Sequence, residues 1–327
     1  MEGIKVSIVN KDAFTVNADI LGMKYATQAH GLDHHVIEAL EAKGLHISKD
    51  LPVLGNFHFM ESHEVVAAPH LLFIGTPPLQ ELNYKEIRAF GTQMMSAAKE
   101  SNNAAKTLLL TIHGPGYGLD EVESFKSQLA GITEAIENNL YPESLEEIIF
   151  SELSLSRSGR LRENLYRIFS DGLIPKPNSR KIDTRKAVAS LMESTGKISE
   201  EKKRVFVAMP FAEDFDDIFH YGIQGAVNNA GYLCERADLE SFTGDIMSWV
   251  LQRIESAELV IADLSLANPN VYLEVGYAWG KGKKTVLIIN DSNELKFDTR
   301  GQRCLPYKRI KDLERVLTNE LKNLSRM

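Results

Sequence analysis

Cysteine is nearly missing from this chain: Cys234 and Cys304 are the only two among 327 residues. Two thiols cannot build a disulfide framework or a thiolate zinc site, so a reducing cytoplasm is the expected setting. Long apolar runs are missing too. No uncharged stretch approaches the ~20 residues that cross a bilayer, and the opening Met-Glu-Gly-Ile-Lys lacks the basic-then-apolar build of a signal peptide. Contact with a membrane is therefore expected only through a partner. Positive charge is in deficit, with 37 Lys and Arg against 45 Asp and Glu and a formal net charge of -8. That balance disfavours a nucleic-acid-coating surface and favours solubility. What remains is an ordinary globular composition, 25% charged and 43% hydrophobic, on a chain long enough for two domains. No repeat of solenoid period is present.

Taken in order, residues 4–9 alternate as a strand, 18–25 suggest a second, and Leu32-Asp-His-His-Val-Ile-Glu-Ala-Leu40 takes up helical spacing. Residues 71–75 and 107–112 read as strands, and 84–99 and 119–137 as helices. This alternation predicts an α/β domain over residues 1–150. Over residues 151–203 serine, proline and arginine displace the apolar periodicity, as in Ser154-Leu-Ser-Arg-Ser-Gly-Arg160. A basic, solvated connector is expected there, with short helices near 161–169 and 184–192. A second α/β run fills residues 204–327: strands at 205–209, 232–236, 259–263 and 285–289, with helices at 215–230, 245–257 and 310–324. Strands so short and apolar predict a parallel sheet covered on both faces.

The chemistry concentrates in residues 259–279. Leu259-Val-Ile-Ala-Asp263 reads as a buried strand ending on a carboxylate; Asn268-Pro-Asn270 is a polar turn; Glu274 lies in the early turns of the helix that follows. In open α/β sheets the functional crevice lies beyond the carboxyl ends of the strands, so both acids are expected to face it. A carboxylate there can receive ribose hydroxyls or stabilise positive charge developing on a sugar anomeric carbon. Asn268 and Asn270 add neutral donors and acceptors, and Met209, Pro210 and Phe211, leaving the first strand of this half, cover the site. Each acid also has a structural reading, Asp263 as the cap of its turn and Glu274 as an exposed acid favoured by the helix dipole. Tyr307 either closes over the site or lies on a surface loop. Trp249 and Trp279 fall in helical patterns and read as packing residues.

Val205-Phe-Val-Ala-Met-Pro-Phe211, Glu258-Leu-Val-Ile-Ala-Asp-Leu-Ser265 and Asn268-Pro-Asn-Val-Tyr-Leu-Glu-Val-Gly-Tyr-Ala278 resemble the nucleoside 2-deoxyribosyltransferase-like branch of the TIR-like superfamily over residues 204–307. The resemblance implies a flavodoxin-like sheet and cleavage or exchange of N-glycosidic bonds. Glu274 would be the nucleophile or charge-stabilising carboxylate and Asp263 a substrate-positioning group, with Tyr277 among the binding residues. Self-assembly into a homo-oligomer is implied as well.

In the first half, residues 107–112 run into His113-Gly-Pro-Gly-Tyr-Gly118 and then a helix. Glycines at a strand-to-helix junction can turn backbone N–H groups toward an anion, though a plain tight turn uses them equally well. Val16-Asn-Ala-Asp-Ile-Leu-Gly-Met-Lys-Tyr25, Leu71-Leu-Phe-Ile-Gly-Thr76 and this loop together resemble a divergent macro-like domain. That resemblance implies a ligand related to ADP-ribose, held by Gly75, Thr76, Gly114, Gly116, Tyr117 and Gly118. His30, His34 and His35 have helical metal-ligand spacing but no Glu between them, and a solvated face is the better reading, so no metal site is expected.

The expectation is thus a two-domain α/β protein: a macro-like nucleotide-sensing module, a basic connector, and a flavodoxin-like TIR-like module acting as an NAD glycohydrolase in bacterial antiviral defence or nucleotide signalling. NAD is substrate, and no cofactor is required. The alternatives are a nucleoside or nucleotide N-glycosidase or 2-deoxyribosyltransferase, and, from another class, a non-catalytic nucleotide-binding receptor.

Overall fold

The computed structural model describes residues 3–27, 29–177, 188–193, 195–196, 198–199, 201–236, 246–290 and 304–324. By its internal contacts the chain divides into two compact units, residues 1–116 with 121–200, and residues 117–120 with 201–327. Both are α/β.

The first unit is built on strands β1 (Gly3–Val9), β2 (Ile20–Tyr25), β3 (Phe57–Glu61), β4 (His70–Gly75), β5 (Thr107–Leu110), β6 (Glu147–Ser151) and β7 (Leu173–Pro175), in the order β3-β4-β2-β5-β6-β1-β7. The five inner strands are parallel, and β3 and β7 close the edges antiparallel. Inner strands such as Thr107-Leu-Leu-Leu110 are apolar on both faces, as a doubly covered sheet requires. On one face lie helices α2 (Tyr84–Ser101), α3 (Glu121–Glu137) and α4 (Leu155–Ile168), over a core that includes Phe90, Phe125, Phe150, Leu161 and Phe169. Phe125 meets Phe150 edge-on at 5.3 Å. On the other face α1 (Leu32–Ala42) packs Val36, Ile37 and Leu40 against Leu21, Leu71 and Phe73.

The stretch expected as a solvated connector contributes α4 and β7 to this unit. Helix α4 starts six residues earlier than its apolar spacing suggested, because Ser154 caps it by accepting the Arg157 N–H at 3.2 Å. Among its arginines Arg160 faces inward, buried and bonded to Glu121 through Nε and Nη2 at 2.8 and 2.9 Å, while Arg162 and Arg167 are exposed. Farther on, Arg88 of α2 donates to the carbonyls of Met192 and Thr195 at 2.7 and 2.6 Å. Residues 178–187, which include the start of the second expected connector helix, lie outside the described residues.

The second unit has strands β8 (Arg204–Ala208), β9 (Leu233–Arg236), β10 (Leu259–Asp263), β11 (Lys284–Ile289) and β12 (Cys304–Pro306), ordered β12-β11-β10-β8-β9 and all parallel. This is the flavodoxin-like order, in which the chain turns outward in both directions from the β8–β10 pair. A π-helical turn over Ile218–Gln224 leads into α5 (Gly225–Asn229), where one continuous helix from 215 was expected. Together with α8 (Ile310–Leu324) these cover one face; α6 (Ile246–Ser256) and α7 (Pro269–Gly280) cover the other.

Helices α2 and α3 approach closely at two glycines. A Cβ on Gly131 would lie 1.9 Å from the Arg88 carbonyl oxygen, and one on Gly91 would lie 2.5 Å from that of Gln128. Gly131→Ala is therefore expected to force the helices apart and destabilise the protein by at least about 2 kcal/mol. Gly159→Ala in α4, where an added Cβ meets nothing within 4 Å, should stabilise by about 0.5–1 kcal/mol. Denaturant titration of the two variants beside the parent chain reads both values; equal effects would contradict the packing argument.

Candidate functional site

In the second unit the switch point of the sheet is the crevice beyond the carboxyl ends of β8 and β10. Asp263 is the last residue of β10 and fully buried. One carboxylate oxygen accepts from the Ser265 backbone N–H at 3.0 Å and the Ser265 hydroxyl at 2.5 Å, and the other accepts from the Tyr307 hydroxyl at 2.6 Å. The Ser265 oxygen in turn accepts the Asn290 N–H at 3.0 Å, so one carboxylate ties together the ends of β10, β11 and β12. Burial, reinforced by the Asp263 charge, pushes the Cys304 thiol up to about 11 and the Tyr307 hydroxyl further above its usual range. Asp263 thus caps the turn that follows it. Tyr307 is buried against the core rather than carried on a surface loop.

After Ser265 the backbone enters the left-handed region at two non-glycine residues, Leu266 (φ 59°) and Ala267 (φ 46°). Leu266 is exposed. Asn268 then caps α7 by accepting the Asn270 N–H at 2.9 Å, with Pro269 in the first turn, while Asn270 itself is exposed. Val271, Val275 and Ala278 form the buried stripe of α7. Glu274 sits on the rim of that stripe, half-buried. Among the described residues it has no hydrogen-bond or ion-pair partner, and burial alone raises its carboxyl from 4.5 to about 7. No hydrogen bond joins it to Asp263. The two acids lie on successive elements, Asp263 at the end of β10 and Glu274 in α7.

The remaining residues expected around this site are spread more widely. Met209 and Pro210 are buried, and Phe211 is exposed. Tyr277 donates its hydroxyl to Glu255 of α6 and lies under the Lys281 ammonium, which is 5.3 Å from the ring centroid and 2.6 Å from Glu255. Its hydroxyl is committed to that surface cluster. Trp249 is buried with the core of α6, and Trp279 is partly exposed. One residue that sequence reasoning passed over is Arg236, at the end of β9. Its guanidinium lies 4.0 Å from the Phe219 ring centroid and 5.9 Å from that of Phe211. Nothing in Cys-Glu-Arg marks it, since a strand-end arginine is ordinarily solvated.

In the first unit the glycines of the expected ligand loop have close neighbours. Gly75 ends β4 where an added Cβ would lie 2.0 Å from the Val53 carbonyl oxygen, and Thr76 is buried with its N–H on Tyr25 O at 2.8 Å. Gly114 (φ 110°) passes over Ser124 and Ile87 of the helices below. Pro115, Gly116 and Tyr117 form a single tight 3-10 turn. Gly118 (φ 79°) is grouped with the second unit, and an added Cβ there would lie 2.2 Å from the Trp249 ring. Glycine at 75 and 118 is thus accounted for by close packing alone.

Sequence reading also missed a buried titratable cluster at the carboxyl ends of β2 and β5. Lys24 and Asp33, both buried, are 3.6 Å apart; the Lys24 ammonium also donates to the His30 carbonyl at 3.4 Å, and Asp33 accepts the His30 N–H at 3.1 Å. Burial lowers the lysine pKa and raises that of the aspartate. His113 is buried edge-on against Phe90 at 4.5 Å, with Nε2 lacking a hydrogen-bond partner; burial, then the Lys24 charge, drives its pKa down to about 3. A lysine inside Ile-Leu-Gly-Met-Lys-Tyr was the available signal for this cluster. His34 and His35 instead sit at the surface beside Glu38, at 3.3 and 3.5 Å. No helix among the described residues is long and apolar enough to cross a membrane.

No protein-family model matches the sequence, and no curated protein matches it. Among solved structures the chain is similar to the Trypanosoma brucei macrodomain in complex with ADP, at 12% identity and TM-score 0.41, covering 50% of this chain and 69% of that one. It is similar also to the Oceanobacillus iheyensis macrodomain with MES bound, at 13% identity and TM-score 0.40, covering 50% and 91%. A third is the macrodomain of Mycobacterium tuberculosis DarG, at 12% identity and TM-score 0.36, covering 45% and 98%.

The Glu274 environment has a measurable consequence. A carboxyl whose folded pKa is about 7 against an ordinary 4.5 binds its proton more tightly folded than unfolded. Stability should therefore fall as pH rises from about 4.5 to about 7 and stay reduced above that. Glu274→Gln removes this cost: the variant should resist urea better than the parent at pH 8 and match it near pH 4. Superimposable curves at both pH values would mean that Glu274 is solvated.

Proposed function

We propose that the second unit hydrolyses N-glycosidic bonds, with NAD as substrate and Glu274 as the carboxylate facing the reacting sugar. The observation that carries this reading is a half-buried carboxylate, without a partner among the described residues, in the helix that follows the switch-point strand β10 of a parallel sheet. Cleavage of a ribosyl–pyridinium bond moves the bonding pair onto the departing ring nitrogen and leaves positive charge on the sugar carbon and ring oxygen. Water then adds to that carbon and loses a proton, giving the free sugar. An unpaired, desolvated carboxylate is poorly stabilised in the free protein and well stabilised beside that cation, and this difference between ground and transition state is what accelerates a reaction.

Asp263 acts through the groups it holds, since both its oxygens are occupied by Ser265 and Tyr307. Met209, Pro210 and Phe211 form the wall contributed by β8, and Asn268 and Asn270 open α7 beside it. The first unit would bind an ADP-ribose-like nucleotide and regulate the second. The TIR-like resemblance carries with it self-association and a role in cytoplasmic bacterial defence or nucleotide signalling. The same carboxylate would serve a nucleoside or nucleotide N-glycosidase or deoxyribosyltransferase. The complete internal satisfaction of Asp263 also suits a receptor that binds a nucleotide without turning it over.

Chromatography of the products formed from NAD tests the proposal. Nicotinamide and ADP-ribose should appear together, and Glu274→Gln should slow their release at least about 100-fold. Because the carboxylate must be ionised, kcat/KM of the parent enzyme should rise with pH through about 7. Undiminished release by the Gln variant would eliminate Glu274 as the catalytic group. Tight nucleotide binding without any product, even in the assembled protein, would select the receptor.

A further inference from the structure

We infer that Arg236 is the phosphate-binding group of the second unit, and that this unit therefore acts on nucleotides rather than nucleosides; the inference rests on the proposed N-glycosidase reading of the same crevice. The guanidinium carries five donors in a fixed fork, and its side chain is only 14% exposed. Its bonds are poor ones: 3.4 Å from Nη2 to the largely exposed Asp216, and 3.8 Å from Nη1 to the Met209 sulfur. Charge-assisted pairs ordinarily close to about 2.7–2.9 Å. Two rings complete its surroundings, Phe219 beneath it and Phe211 at the edge.

The comparison with other arginines sharpens the point. Arg253, 13% exposed at its side chain, has a Glu235 oxygen at 3.0 Å. Arg160 and Arg88, more deeply buried, hold carboxylate oxygens at 2.8 and 2.9 Å. These three arginines are each held by a close carboxylate. Arg236 is withdrawn to the same degree as Arg253, yet among the described residues no carboxylate comes closer to it than 3.4 Å. A desolvated cation with open donors is costly unless an anion completes it, and a phosphate matches the guanidinium fork.

Its position suits a nucleotide. Arg236 ends β9 level with Val207 of β8, whose continuation is Met209–Pro210–Phe211, while Asp263 ends β10 on the other side of β8. Two strand spacings, about 10 Å, separate the ends of β9 and β10. Arg236 packs on Phe219, on the face opposite α7, so the phosphate would lie at the carboxyl edge of the sheet and the ribose would cross the ends of β8 and β10 to reach Glu274. The interaction neither breaks nor makes a covalent bond. It selects the substrate.

The test compares nicotinamide mononucleotide with nicotinamide riboside on the full chain. The parent should favour the nucleotide, and Arg236→Gln should reduce the nucleotide-to-nucleoside ratio of kcat/KM by about 10- to 100-fold, chiefly through KM. Arg236→Lys, which keeps charge but loses the fork, should fall between. An unchanged ratio in Arg236→Gln, or a parent that favours the riboside, overturns the assignment. A second readout does not depend on turnover. The chain has two tryptophans, Trp249 and Trp279, both grouped with the second unit, and the part of their quenching by ADP that depends on Arg236 reports binding at this site. Arg236→Gln should weaken that binding at least about 10-fold, and equal affinities count against the inference. A chain that binds ADP through Arg236 yet releases no base would remove the hydrolase reading and keep the phosphate site. Turnover indifferent to Arg236 would do the reverse.

Discussion

A carboxylate buried at the end of a parallel strand must be supplied with donors, and the second unit is arranged around doing so for Asp263. Three hydrogen bonds, from the Ser265 backbone, the Ser265 hydroxyl and the Tyr307 hydroxyl, satisfy both oxygens. Those donors come from the turn after β10 and from the residue after β12, and Ser265 passes the constraint to Asn290 after β11. Removing any one would leave a buried charge short of a partner, which costs more than an ordinary hydrogen bond contributes. The short strand β12, only Cys304-Leu-Pro306, has little burial of its own to hold it. Tyr307 anchors it to the sheet through this carboxylate and the core around it.

Against that saturated centre, the groups with capacity to spare stand out. Glu274 of α7 and Arg236 of β9 are both withdrawn from water and, among the described residues, incompletely paired. Other withdrawn charges among the described residues are matched, Glu121 with Arg160 and Glu235 with Arg253, and this contrast is what the proposed ligand contacts rest on. The first unit shows a related pattern. Lys24 and Asp33 answer each other, but His113 beside them keeps an unbonded Nε2, and burial holds it neutral.

The fold class was legible in the sequence because it rests on periodicity. The apolar runs Val205-Phe-Val-Ala208 and Leu259-Val-Ile-Ala262 can be little else than inner strands, and helical structure followed each, though as a π-helical turn and the short α5 after the first. The strands β3, β6, β7 and β12 escaped notice: Phe57-His-Phe-Met-Glu61 is an edge strand with mixed exposure, Glu147-Ile-Ile-Phe-Ser151 is a short apolar run at the expected domain boundary, and three-residue strands have no period to read. The basic stretch after residue 151 was opaque for another reason. Two of its arginines are polar in composition but structural in use, because Glu121 at the start of α3 and the Ile8 carbonyl of β1 accept from Arg160 and Arg162. Asp263 and Glu274 were visible as acids at a strand end and an early helical turn. That the first would be fully satisfied and the second left bare depends on Tyr307, Ser265 and Asn290, which converge only in three dimensions. Arg236 was invisible because its meaning lies in partners it does not have.

The turn between the two acids explains how one sets the environment of the other. Leu266 and Ala267 occupy left-handed conformations that cost side-chain-bearing residues about 1–2 kcal/mol each. The turn persists because it is fixed at both ends, by Asp263 on Ser265 and by the Asn268 cap on α7. What the strain secures is rotational phase. Successive residues of an α-helix are turned by about 100°, so adding or removing one residue before Pro269 would swing Glu274 either into the Val271–Val275 stripe or out into water. In the first case the carboxyl would remain protonated, and in the second it would be an ordinary surface acid. The half-buried rim, where its pKa lies near neutrality, is available only to the register this turn imposes. Asp263 therefore bears on the burial of Glu274 without contacting it, by fixing the turn from which the helix leaves the sheet.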